Sequence, residues 1–243
     1  GERFMERYHP LKDLAPRDIV TRSIFEETIA TRHHCVYLDV SSFREEHFER
    51  RFPTIYEGCQ KAGRKEGDLI PVVPAAHYSC GGVKINEWGE SDVEGLYAVG
   101  EVACSGLHGA NRLASTSLLE GIIFGKLTAE KISHEVEGEE LYKGELIRDW
   151  ELGSSQVDLT LVAQDLQGLK QTMWNYVGPI RTKDRLKRAH AMLGELSFEI
   201  KKFYKNGILS DELIGLRNAV EVGHLVVEAS MRSTDSVGCF YRR

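Results

Sequence analysis

Hydrophobic positions along this chain follow a mixed pattern of short elements up to residue 132 and a purely helical one from Val157 to the end. Ile19, Val20, Ile24, Phe25 and Ile29 fall at helical spacing, predicting a helix over residues 16–30. Pro16 and Asp18 suit its first turn. The polar residues 1–13 before it read as a loop. Residues 35–40 (CVYLDV) read as a strand. Two short charged helices follow at 43–52 and 54–62, Pro53 ending the first, with a turn at 63–67. Residues 69–76 are apolar but contain Pro71 and Pro74, which fits an irregular or edge strand. Residues 81–86 predict a turn into a strand, 88–94 a hairpin loop and 96–99 another strand. An apolar helix over 117–132 places Gly121 and Gly125 on one side, where backbones can approach closely.

Beyond residue 132 the pattern shifts. Residues 135–140 are acidic and read as a linker. From Val157 the periodicity is helical to the end, in three pieces. The first stops before Gly178-Pro179, the second spans 183–204, and the third starts at the capping signature Ser210-Asp211-Glu212 and runs to about Met231. Short joints between three helices predict an antiparallel bundle. The fold class is therefore α+β, a mixed N-terminal region followed by a three-helix bundle. No internal repeat is present.

Composition narrows the function. The 243 residues carry a net charge of −6 without a long basic run, which argues against nucleic acid as a partner. No apolar segment approaches the ~20 residues that a membrane-spanning helix needs. Five dispersed cysteines, with no CxxC pair and no zinc-ligand spacing, suggest reduced thiols in a cytoplasmic protein and no metal site. The chain opens at Gly1-Glu2-Arg3 rather than at Met, so it is expected to be the C-terminal part of a longer protein.

Candidate chemistry concentrates in residues 96–125, LYAVGEVACSGLHGANRLASTSLLEGIIFG. An apolar strand breaks at Gly100, a loop rich in Gly, Ser and Ala presents His108, Asn111 and Arg112, and a helix restarts near Ser117. A cation, an imidazole and an amide just before a helix N-terminus suit an anionic ligand. A plain Gly-rich connection carrying a surface arginine has the same spacing, and spacing alone leaves both readings open.

The segment His108-Gly109-Ala110-Asn111-Arg112, followed by Ser117-Leu118-Leu119, resembles the flavin- and substrate-binding segment of the succinate dehydrogenase/fumarate reductase flavoprotein family. Three more segments match in order: Leu14–Val20 (LAPRDIV), Pro74–Gly82 (PAAHYSCGG) and Met173–Gly178 (MWNYVG). The resemblance covers nearly the whole chain. It implies that 1–79 is the end of a capping domain, 80–140 the return into an FAD-binding domain, and 141–243 the C-terminal helical domain. FAD is the implied cofactor, but its main cradle is missing. No GxGxxG follows a strand here, and Gly121–Lys126 (GIIFGK) has one residue too few between its glycines for a phosphate loop.

Within the family, Cys80 stands where dicarboxylate oxidoreductases usually carry Met, and Arg112–Glu120 (RLASTSLLE) stands where they read RLGxNSLLD. Both differences favour the branch that oxidises L-aspartate to iminoaspartate for quinolinate and NAD synthesis. The resemblance implies Arg112 and His77 as the grips on the substrate carboxylates, with His108 orienting the loop or lying near the flavin. It implies Arg17 as the proton-transferring residue, although an arginine is a poor base unless neighbours offset its charge. Asp18 would point elsewhere on the helix. Glu101 is implied as a partner of the FAD ribityl chain, and Ser117 and Leu118 as backbone donors to the flavin pyrimidine edge, with Asn111 beside them. Ser117 could equally be a simple helix cap, and Cys80 a packing residue.

Implied partners are L-aspartate, fumarate as a possible electron acceptor, quinolinate synthase and the missing N-terminal half, without which the chain is expected to be inactive. A fumarate reductase or succinate dehydrogenase flavoprotein subunit is the nearest alternative, and a non-catalytic helical interaction module another. Three positions depart from the family pattern. Val237 and Phe240 replace the usual Arg and His of a C-terminal SRGxH segment, and Thr116 stands where Asn is common.

Overall fold

A computed structural model describes residues 2–64, 69–137 and 153–243. It divides into two compact units, one ending at His77 and one beginning at Tyr78. Residues 65–67 of the turn expected at 63–67 and 138–140 of the linker expected at 135–140 lie outside the described residues, and 135–136 belong to a helix rather than a linker.

The first unit is small. The N-terminal stretch expected as loop contains two single 3-10 turns, Phe4–Arg7 and Lys12–Leu14. Helix α1, Arg17–Thr31, follows with Pro16 at its N-cap. Strand β1, Val36–Leu38, pairs antiparallel with β2, Ile70–Val72. Between them lie helices α2, Glu45–Arg51, and α3, Pro53–Lys61. Pro53 opens α3 at its first position rather than merely ending α2; a first-turn proline loses no helix hydrogen bond. Met5, Ala15 and Phe25 are buried. Beside them the Glu27 carboxylate accepts from Arg7 Nη2 and from the Tyr8 hydroxyl, both at 2.7 Å. Burial and this carboxylate push the Tyr8 phenol up to about 12. Burial also works against the Glu27 charge, yet the bonds from Arg7 and Tyr8 bring it below the usual carboxylate value.

The second unit begins with β3, Val83–Lys84, parallel to β4, Ala103–Cys104. Gly82, at φ +123°, leads into β3, and a Cβ there would collide with the Val102 carbonyl, so only glycine lets the two strands close. The strand expected at 96–99 is a single antiparallel bridge, Tyr97 to Glu90, followed by a 3-10 turn at Gly100–Val102. Val99 has extended dihedrals, but an apolar extended segment becomes a strand only when a neighbour completes its ladder. Helix α4, Ser117–Val136, runs past the expected end at 132. Its last turn is held by the Lys131–Glu135 ion pair at 2.9 Å and a bond from the Tyr97 hydroxyl to Glu135. Gly121 meets the Gly100 Cα at Cβ-contact distance, 3.7 Å, whereas Gly125 faces open space.

Helices α5, Leu159–Val177, α6, Lys183–Asn206, and α7, Asp211–Arg232, pack on one another as the expected bundle. Asp158, Thr182 and Ser210 cap their N-termini through side-chain oxygens that accept from Thr160, Arg185 and Leu213 N–H groups. The core includes Leu186, Leu193, Leu213, Leu216 and Val227, each at most 1% exposed.

Candidate functional site

The loop that presents Arg112 sits between β4 and α4, and three elements shape it. The first is α4 itself. Thr116 is its N-cap residue, but the Thr116 hydroxyl donates to the Leu113 carbonyl (2.9 Å) and caps no helix N–H. Ser117 is therefore the first helical residue, not the cap, and its Oγ accepts from Arg112 Nε at 2.6 Å. The first-turn N–H groups of α4 have no side-chain cap, and the Leu118 side chain is 83% exposed.

Tyr78 supplies the second element. Its ring lies 4.9 Å from the Arg112 guanidinium carbon and meets the His108 ring edge-on at 5.0 Å. Guanidinium Nε is thus pinned by a hydroxyl and the plane rests on an aromatic face. The two terminal nitrogens have no hydrogen-bond partner among the described residues. A fork fixed at its base and open at its tip is the geometry that takes a carboxylate bidentately.

The third element comes from the far end of the chain. Residues 237–240 form a tight turn, with Val237 and Phe240 exchanging backbone bonds of 3.0 Å. Cys239 N–H donates to the Ala110 carbonyl at 2.9 Å, and its Sγ donates to Asn111 Oδ1 at 3.2 Å. Gly238, at φ +56°, packs so closely that a Cβ there would strike the Ala110 carbonyl. Phe240, one of the two unusual positions, stacks under the Arg181 guanidinium at 4.9 Å. The contact with the loop is made by the backbone and Cys239, so the side-chain changes at 237 and 240 do not remove it.

Glu120 is a residue that sequence reasoning missed. It is 5% exposed; its carboxylate accepts from the Ser105 hydroxyl and from the Tyr78 hydroxyl at 3.5 Å, and lies 2.9 Å from His108 Nε2, whose N–H is not aimed at it. Its signal was present: one acid stands inside the apolar run LLEGIIF, where a solvent-facing role is not the obvious one. Tyr78 was part of a quoted motif but had been given no role.

His108 Nδ1 accepts the Leu113 N–H at 3.3 Å, tying the two ends of the turn. Glu101 accepts the Ser79 N–H through Oε1 at 2.9 Å. Burial pushes the Cys80 thiol up, against the pull of Arg112, in keeping with a packing role. The second unit thus brings together Arg112, His108, Asn111, Glu101, Ser117 and Leu118 on one loop and helix start. Arg17 and His77 belong to the first unit. There Arg17 Nη2 donates to the Asp13 and Ala15 carbonyls at 2.7 and 2.8 Å, while Asp18 pairs with Arg22 at 2.8 Å and not with Arg17. His77 is exposed.

A family model described as an FAD binding domain matches residues 1–118, and one described as the fumarate reductase flavoprotein C-terminus matches residues 166–243. The chain belongs to the succinate dehydrogenase/fumarate reductase flavoprotein family. It is 42% identical over 246 residues to an L-aspartate oxidase of Pseudomonas aeruginosa, covering 99% of this chain and 45% of that protein. An L-aspartate oxidase of Bacillus subtilis is 56% identical over 133 residues, 54% of this chain and 24% of that protein. Among solved structures, a quinol-fumarate reductase chain superposes with a TM-score of 0.79 at 25% identity, covering all of this chain and 48% of that one. Mycobacterium smegmatis Sdh1 gives 0.73 at 26% identity, covering all of this chain and 43% of that one. The chain spans about half the length of the curated relatives it matches.

The family makes FAD the cofactor, and the residues present fit part of it. The uncapped N–H groups at the start of α4 offer positive potential to a ring edge that gains negative charge. The Cβ direction of Gly100 opens on empty space beside Glu101. Among the described residues no group of three or more His, Cys, Asp or Glu could hold a metal ion, and no helix is long and apolar enough to cross a membrane.

Proposed function

We propose that this chain is the substrate-facing C-terminal portion of an enzyme that oxidises L-aspartate to iminoaspartate, in the cytoplasm, on the way to quinolinate and NAD. The observation that carries the reading is the Arg112 fork, braced at Nε by Ser117 and open at both terminal nitrogens. The 42% identity to L-aspartate oxidases supports the substrate. Residues 1–79, 80–140 and 141–243 correspond in this reading to the end of a capping domain, the return into the FAD domain and the helical domain.

Arg112 binds one substrate carboxylate and His77 the other. Loss of the Cα hydride and of a proton from the amine nitrogen leaves a C=N bond, and Arg17 conducts that proton away. FAD, when bound, would supply the hydride acceptor, with dioxygen or fumarate as the terminal oxidant. Glu101 holds the ribityl chain, and the Ser117 and Leu118 N–H groups steady the charge that develops on the pyrimidine edge, with Asn111 and His108 shaping the loop. The chain's own contribution is position and electrostatics. The rest of the cofactor cradle would come from the part of the relatives' length that this chain does not span, and quinolinate synthase is the partner that would receive the product.

The test is anaerobic addition of L-aspartate to the FAD-loaded full-length protein. Bleaching of the flavin band is expected. Bleaching by succinate and not by L-aspartate would transfer the chain to the succinate-oxidising alternative. This chain alone should leave the FAD band unshifted.

A further inference from the structure

Glu120 is a buried carboxylate that the proposed reaction does not use. It stands four residues into the path from the Thr116 cap, its N–H closing the first α-helical bond of α4 to the Thr116 carbonyl at 2.9 Å. Helical side chains lean toward the N-terminus, so its carboxylate reaches back over the loop that carries Arg112. Its side chain is 3% exposed and that of His108 is 8% exposed. Among the described residues no lysine or arginine pairs with it. A carboxylate taken out of water without a cation is costly, and an apolar residue would pack there at less expense. The Ser105 and Tyr78 hydroxyls that donate to it and the imidazole nitrogen beside it offset that cost, and two of these residues, Tyr78 and His108, lead to Arg112.

One arm runs through His108. Its Nδ1 accepts the Leu113 N–H, so the proton of the neutral ring sits on Nε2, which lies 2.9 Å from Glu120 Oε2 at an angle that closes no hydrogen bond. The negative charge beside Nε2 favours the tautomer that carries its proton there, which is the one that can hold the backbone next to Arg112. The other tautomer would turn an N–H toward the Leu113 N–H and push the loop off. A second arm runs through Tyr78. Its hydroxyl lies 3.5 Å from Glu120 Oε2, its ring edge meets His108, and its face supports the Arg112 guanidinium. Backbone and side chain of the same arginine are thus referred to one carboxylate.

We propose that Glu120 is a positioning residue that aims the Arg112 fork, acting through the His108 tautomer and the Tyr78 ring. This rests on the reading of Arg112 as the substrate grip. A packing role alone would need neither arm.

The test has a readout independent of turnover. Nitrogen-15 NMR of the imidazoles in this 243-residue chain should show His108 as a single tautomer, protonated at Nε2. Glu120→Leu should replace that with a tautomer mixture, and Glu120→Gln, whose amide oxygen still places negative partial charge beside Nε2, should partly restore it. In the FAD-loaded full-length protein, Glu120→Leu should raise KM for L-aspartate at least tenfold, with kcat falling less, while Glu120→Gln and Tyr78→Phe raise KM a few-fold. Arg112→Lys is measured alongside. An unchanged KM in Arg112→Lys would remove the substrate reading itself. A tenfold rise there, with an unaltered His108 tautomer and KM in Glu120→Leu, would overturn the role of Glu120 alone. If Glu120→Leu does not fold, Glu120→Gln and Tyr78→Phe carry the test, and wild-type KM in both overturns the proposal.

Discussion

The three-helix bundle and the Arg112 loop are built on opposite principles, although one chain segment joins them. The bundle closes on itself. Leu186, Leu213, Leu216 and Val227 are fully excluded from solvent, and each helix carries its own side-chain cap. The loop has no such core. It is held by polar contacts that cross between segments: Ser117 to Arg112, His108 to Leu113, Glu120 to Ser105 and Tyr78, and Cys239 to Asn111. Helix α4 beside it leaves Leu118 and Ile122 83% and 70% exposed. Apolar burial supplies stability without fixing direction, whereas hydrogen bonds and ring faces fix direction with little net stability. A scaffold needs the first and a substrate grip the second.

Substitutions should therefore separate binding from stability. Arg112→Leu should have the largest effect, lowering kcat/KM for L-aspartate in the FAD-loaded full-length protein by about a hundredfold or more, as loss of one partner of a desolvated charge pair does. The urea midpoint of the bundle should not move. Leu216→Ala should do the reverse, costing about 2–5 kcal/mol in urea unfolding. Equal effects of both variants on both measurements would dissolve the contrast.

A finer test uses acid in the first unit. Glu27 titrates below its usual value in the folded chain, so its stabilisation is complete above the ordinary carboxylate pKa and is lost as pH falls through the folded one. Glu27→Gln should flatten that limb of a stability-against-pH curve. Tyr8, raised to about 12, gives the opposite sign at the alkaline end: stability present below pH 10 falls as pH climbs toward 12. The smallest effect should be Ile122→Lys, within about 0.5 kcal/mol in this chain, because that side chain is already in water.

The contrast also explains what was legible beforehand. Helical period and the caps at Ser210, Thr182 and Asp158 are local signals, so the bundle could be read nearly residue by residue. Pro53 signals a stop in the sequence and is also a start in the fold, since one residue serves both roles. The extended run at 96–99 could not be resolved, because a strand needs a neighbour to complete its ladder and only Tyr97 finds one, in Glu90. The Arg112 motif was legible through family resemblance. The hydroxyl, ring and carboxylate that hold its side chain were not, because Ser117, Tyr78 and Glu120 meet only after folding. The reach of the C-terminal turn back to Ala110 had no local signal at all.

That turn sets an order in time. Asn111 and Cys239 are 128 residues apart, while the helices of the bundle pack against near neighbours along the chain. Contacts between near neighbours close quickly; a clasp between distant residues pays its loop-closure entropy only once its framework exists. The Arg112 loop is thus the last part of this unit to be set during folding and the first to be released on heating. Binding competence will fade before helix content does.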